Sequence, residues 1–182
     1  MIKICVIIRI DIYVLGGFKL QENFKKALEF VLKWEGGRSE HPKDPGGLTI
    51  YGISQKSYPK EVAQMDALWK QGKKSEALEI AKKIYKANYW DKLNCDALPY
   101  PLDIIAFDTA VNMGVGTALS FLKQSKDYRD FLLLRIERYK NLAQTNKNLT
   151  IFLIGWLNRV LDLYKTISKE GNINGNSTKR TS

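Results

Sequence analysis

Residues 22–54 read ENFKKALEFVLKWEGGRSEHPKDPGGLTIYGIS, and a change of period inside this stretch decides the fold class. Phe24, Ala27, Leu28, Val31 and Leu32 recur at helical spacing, which predicts an amphipathic helix with one buried stripe. Glu35 extends the stripe by a further turn, and Gly36-Gly37 ends the helix. The segment that follows holds two prolines, three glycines and a β-rich run from Leu48 to Ile53. That composition predicts a loop and a small hairpin.

Outward from this point the chain is helical again. The pattern predicts helices over 60–71 and over 76–88, the second with Ser75 as its N-cap and Leu78, Ala81, Ile84 and Tyr85 on one face. Pro99 and Pro101 open an apolar helix over 102–113, which ends before Gly114 and Gly116. Its polar members Asp108 and Asn112 stand one turn apart on a shared face. Asp127 is placed to cap a helix over 128–143, and a last helix over 149–168 carries Leu153, Trp156, Val160, Tyr164 and Ile167. Upstream, Ile8, Ile10, Ile12 and Val14 alternate as in a strand. Arg9 and Asp11 interrupt this apolar start, so neither a membrane span nor a cleavable secretory signal is expected from it. The polar stretch 169–182 is expected to be disordered. The fold class is mainly α with one small β element.

The 182 residues are 45% hydrophobic and 26% charged, which excludes a mostly disordered or polytopic membrane chain. Cys5 and Cys95 are too few for a disulfide scaffold, and with His41 alone they leave no zinc-ligand spacing. No metal and no cofactor are expected. Lys and Arg number 29 against 19 Asp and Glu, a net charge of +10. That surplus favours an anionic partner: nucleic acid, a membrane surface or an acidic cell-wall polymer. A lysine-rich surface kept for solubility explains it equally well.

Glu35 stands out chemically. A carboxyl on a buried stripe, at the negative end of a helix, is disfavoured in its charged form, as a general acid requires. The plainer reading is a terminal glutamate turned to solvent. Nine residues on comes Asp44, then Gly46-Gly47 and Thr49. A returning loop could bring this second carboxylate and hydroxyl opposite Glu35, the equipment of glycoside hydrolysis. Asp44 also suits a plain turn, and Thr49 a plain strand.

KWEGG (residues 33–37) and DPGGLTIYGIS (residues 44–54) together resemble the start of the N-acetylmuramidases of glycoside hydrolase family 108. The resemblance continues through YWDKLNCDALP (Tyr89 to Pro99), FDTAVNMGVGTA (Phe107 to Ala118) and GWLNRV (Gly155 to Val160), over roughly residues 22–165. The Glu35, Asp44, Thr49 spacing is also similar to the Glu, Asp, Thr trio of phage-type lysozymes, which have one more residue before the threonine. The resemblance implies a lysozyme-like, two-lobed helical fold with a small β-hairpin after the first main helix. It implies an N-terminal extension over 1–20, a catalytic region over 21–98 and a helical peptidoglycan-binding region, shortened here, over 99–168. Glu35 matches the family's proton donor, with Asp44 and Thr49 beside it. Tyr51, Tyr89, Trp90, Asp108 and Asn112 match positions that line or brace a glycan cleft, although core packing or internal hydrogen bonding also accounts for them.

Two departures stand out. Arg38 occupies a place where the family carries an aromatic residue, and the chain jumps early to SKDYRDFLLLRIERY. The function implied is peptidoglycan hydrolysis by a monomer acting in the periplasm or cell wall, reached through a holin or another export route. Its partner is then the glycan strand, with no nucleic acid and no stable membrane insertion. The alternative is a catalytically weak or inactive cell-wall-binding protein.

Overall fold

The computed structural model describes residues 22–40 and 47–175, with side chains as far as Lys169. The strand expected over 8–14, His41, Asp44 and the last seven residues of the chain lie outside the described residues.

Helix α1 spans residues 22–35, as its stripe predicts, and buries Ala27, Leu28, Phe30 and Val31. Gly36 ends it at φ +72°, a left-handed conformation that glycine enters without a Cβ penalty. The β element is a three-stranded antiparallel sheet of β1 (Arg38–Ser39), β2 (Thr49–Ile50) and β3 (Ile53–Ser54). Arg38 faces Ile50, and Ile50 faces Ile53 across the two-residue turn Tyr51-Gly52. Both turn residues have positive φ, 51° and 79°, the backbone hand that matches the twist of a tight hairpin. Strands this short gain little from pairing. Full burial of Ile50 and Ile53 ties them to the core, each contributing about 1.5–3 kcal/mol.

Helices α2 (Pro59–Lys70) and α3 (Lys74–Tyr85) pack together beneath this sheet. Ser75 does not cap α3. A turn at Gly72, φ +76°, brings the chain into the helix at Lys74, so Ser75 falls inside the first turn. From Tyr85 the chain continues through a π-helical turn (Lys86–Trp90) and two 3₁₀ turns (Asp91–Leu93 and Cys95–Ala97).

Helix α4 (Leu102–Met113) is buried on every side from Leu102 to Ala110, which makes it the axis of the molecule. Gly114, at φ +90°, is a turn and not the end of helical structure. A helix the sequence reading did not expect, α5 (Val115–Gln124), begins directly after it, with Gly116 inside and nothing near it to meet a Cβ. Helix α6 (Tyr128–Thr145) starts where expected, with the Asp127 carboxylate accepting from the Arg129 and Asp130 amides. A 3₁₀ segment (Lys147–Phe152) leads into α7 (Leu153–Gly175), which runs past Lys169, where polar composition alone would end it. On α7 it is Leu163, not Tyr164, that faces the core beside Val160 and Ile167. The molecule is mainly α and lysozyme-like, with the small sheet next to the first helix.

Candidate active site

Glu35 is the last residue of α1, and three elements converge on it. From α7, Arg159 Nη1 donates to Glu35 Oε1 at 2.7 Å. From the sheet, Gly52 lies so close that a Cβ built there would sit 2.8 Å from Glu35 Cγ and 2.5 Å from Tyr85 Oη. From α3, Tyr85 donates its hydroxyl to the Tyr51 carbonyl at 2.8 Å, which pins the turn over the carboxyl. The Glu35 side chain keeps 24% of its surface exposed, so it is held firmly and remains reachable. The apolar surroundings expected from its stripe are replaced by an ion pair.

Arg159 is itself locked. Its Nε and Nη2 both donate to Asp108 Oδ1, at 3.0 and 2.8 Å. Asp108 Oδ2 accepts from Arg135 Nη1 at 2.6 Å, and Arg135 Nε donates to Tyr139 Oη at 3.1 Å. Tyr139 in turn donates to Asn112 Oδ1. Two carboxylates and two guanidiniums alternate along this chain, so each buried charge faces an opposite one. Burial opposes the charge on Arg159, but Asp108 and Glu35 outweigh it and hold the guanidinium above its ordinary pKa.

The other expected site residues divide into groups. Thr49 is half-buried on β2, three residues before Gly52 of the turn that follows. Tyr51 turns its ring edge-on to Trp69, 5.3 Å between centroids, and donates to the Lys74 carbonyl, so it braces the turn. Tyr89 is half-buried beside Tyr85 and hydrogen-bonded with Tyr58; burial first, then Tyr58, raises its phenol to about 12. Trp90 and Asp108 are both completely buried, as bracing or internal hydrogen bonding requires. Trp90 packs edge-on against Phe24 and Phe107 and donates to Asp96 Oδ1 at 2.7 Å, bracing the core. Asn112 is half-buried and ends the internal network at Tyr139. Arg38, the departure from the family pattern, is taken up by Asp66 at 2.8 Å and Glu40 at 2.9 Å.

Sequence reading missed Arg159, Arg135 and Tyr85. A signal for the arginines was present: each occupies a buried-face position of its helix, among Trp156, Val160 and Leu163 or among Phe131, Leu132 and Tyr139. A charge on an apolar stripe demands an opposite charge from elsewhere.

The Glycosyl hydrolase 108 family model matches residues 28–114, a stretch that holds Glu35, the sheet and α2 to α4. Over that stretch the chain is similar to the glycosyl hydrolase 108 family. That match supports a glycoside hydrolase. The chain is also similar to the solved structure of SagA from Brucella abortus, at 26% identity over 82% of this chain and 95% of that one, with a TM-score of 0.58. No curated protein matches it. Arg135, Tyr139 and Arg159 lie beyond the matched stretch, so the family region alone contains Glu35 and Asp108 without their cationic partners. Among the described residues, no helix is long and apolar enough to cross a membrane.

Proposed function

We propose that this protein is an N-acetylmuramidase that cleaves the β-1,4 bond between N-acetylmuramic acid and N-acetylglucosamine in peptidoglycan. Glu35 is its proton donor. The observation that carries this reading is a single carboxyl, part exposed, fixed at one oxygen by a buried guanidinium and roofed by a pinned turn. Such a group loses no orientational freedom when it acts, which is where general acids gain most of their rate.

Glu35 gives its proton to the glycosidic oxygen as the bond to the anomeric carbon breaks and the electron pair leaves with that oxygen. Water supplies the hydroxyl that the anomeric carbon gains, and the proton it releases replaces the one Glu35 gave up. Asp44 and Thr49 stabilise the positive charge at that carbon or hold the water. The enzyme acts on the glycan strand in the periplasm or cell wall as a monomer, delivered by a holin or another export route.

The test is Glu35→Gln on purified peptidoglycan, with released fragments read by mass spectrometry. Loss of general-acid catalysis is expected to cost about 10²–10⁴-fold in rate. Wild-type fragments should carry N-acetylmuramic acid at the new reducing end. A Gln variant that releases fragments at close to the wild-type rate refutes Glu35 as the donor. Reducing-end N-acetylglucosamine in the wild-type digest refutes the bond assignment.

A further inference from the structure

We infer that Arg159 is a positioning residue of this reaction: it holds Glu35 by one carboxyl oxygen, is itself immobilised by Asp108, and so makes α7 part of the active site. The inference rests on Glu35 being the proton donor and adds the device that aims it.

A guanidinium is a planar fork, and two of its three nitrogens fix the direction of the third. Here Nε and Nη2 are both committed to Asp108 Oδ1, so Nη1 points at Glu35 Oε1 in one direction only. Asp108 cannot swing away, because its second oxygen is taken by Arg135. Beyond Arg135 the network runs through buried Tyr139 to the half-buried Asn112. The guanidinium carbon of Arg159 also stands 5.9 Å from the Trp34 ring centroid, next to Glu35 in the chain. One turn further along α7, Asp162 accepts from Trp34 Nε1 at 3.0 Å and from Lys33 Nζ at 2.7 Å. The end of α1 is thus attached to α7 at two successive points.

Exposure rises along this chain of charges toward the site. The side chain of Asp108 is 0% exposed, that of Arg159 6% and that of Glu35 24%. The rigid part is inside and the reactive part is at the surface. The consequence for the chemistry follows from hydrogen-bond inventory. Arg159 donates and does not accept, so Oε1 faces it as an acceptor and Oε2 is the oxygen left to meet the substrate. Two phenols also feel the Glu35 charge: Tyr85 on α3 and Tyr89 on the π turn. Neither supplies a positive charge, so Arg159 is the cation that orders this carboxyl among the described residues.

The experiment compares wild type, Arg159→Gln, Arg159→Lys and Glu35→Gln on soluble glycan strands, well below each melting temperature and with near-ultraviolet circular dichroism confirming the fold. Arg159→Gln is expected to lower kcat about 10–100-fold with KM within twofold, because binding is untouched and aim is lost. Arg159→Lys restores the charge but not the fork, and kcat should fall between the two. A folded Arg159→Gln with wild-type kcat overturns the inference, as does a loss confined to KM. Should the Gln variant fail to fold, Arg159→Lys decides: wild-type kcat in that variant overturns the inference, and a reduced kcat at unchanged KM supports it. Glu35→Gln separates the two claims. If it is inactive while Arg159→Gln is not impaired, only the positioning role fails; if it is active, the proton-donor reading fails first.

Discussion

Gly52→Ala and Gly72→Ala form a matched pair that measures how hard the hairpin presses on Glu35. Both glycines are left-handed, at φ +79° and +76°. An alanine at either place carries the left-handed penalty of about 1–2 kcal/mol. Gly72 adds nothing more, since a Cβ there meets no atom within 4 Å. At Gly52 the new methyl would lie 2.5 Å from Tyr85 Oη and 2.8 and 2.9 Å from Glu35 Cγ and Cβ, distances that real Cβ atoms do not show. Tyr85 has little room to yield. The residue is 1% exposed and its hydroxyl is committed to the Tyr51 carbonyl. Overpacking of this kind costs about 1–3 kcal/mol, which brings Gly52→Ala to about 2–5 kcal/mol. For a chain of this size a kcal/mol is about 2–4 °C in Tm, so Gly52→Ala should melt about 4–20 °C lower and Gly72→Ala about 2–8 °C lower. Differential scanning calorimetry reads both. Peptidoglycan hydrolysis, assayed where both variants are folded, should fall at least about tenfold for Gly52→Ala, which displaces Glu35, and stay at wild-type level for Gly72→Ala. A Gly52→Ala protein that melts no lower than Gly72→Ala and hydrolyses at the wild-type rate refutes the close contact between turn and carboxyl.

Asp66 on α2 accepts from Lys70 and from Arg38 of β1, and these two hydrogen bonds hold its carboxyl below the ordinary 3.8. A depressed folded value stabilises the protein above that pH and loses its effect as pH falls through it. Asp66→Asn should therefore cost about 1 kcal/mol at neutral pH and nothing in strong acid, read as a gap between Tm-versus-pH curves that closes at the acid end. The +10 charge predicts a different dependence. Screening over about 8 Å at physiological salt should weaken association with anionic walls, so added salt should depress activity on whole walls well before activity on short neutral glycans; equal sensitivity would remove that role for the charge.

Much of this protein was legible in its sequence because the deciding forces act locally. The stripe from Phe24 to Leu32 fixes which face of α1 is buried, Gly36 ends the helix, Asp127 caps α6, and the glycine-containing turn makes a hairpin wherever it folds. Local signals also compete, and there the reading failed. Ser75 could cap a helix, but the turn at Gly72 had already started one; Gly114 turns the chain without ending the helices, which hid α5. What no local signal contains is the identity of a distant partner. Period shows that Glu35, Asp108, Arg135 and Arg159 lie on buried faces, but not which faces meet. Residues 124 apart are joined only by the packing of α7 against α1, and that packing decides that Asp108 lies inside, as the anchor of Arg159, and that Glu35 stands at the surface with one oxygen held. Burial makes this pairing obligatory, since a buried charge without its opposite costs several kcal/mol; the sequence set the need for partners, and the tertiary structure chose them.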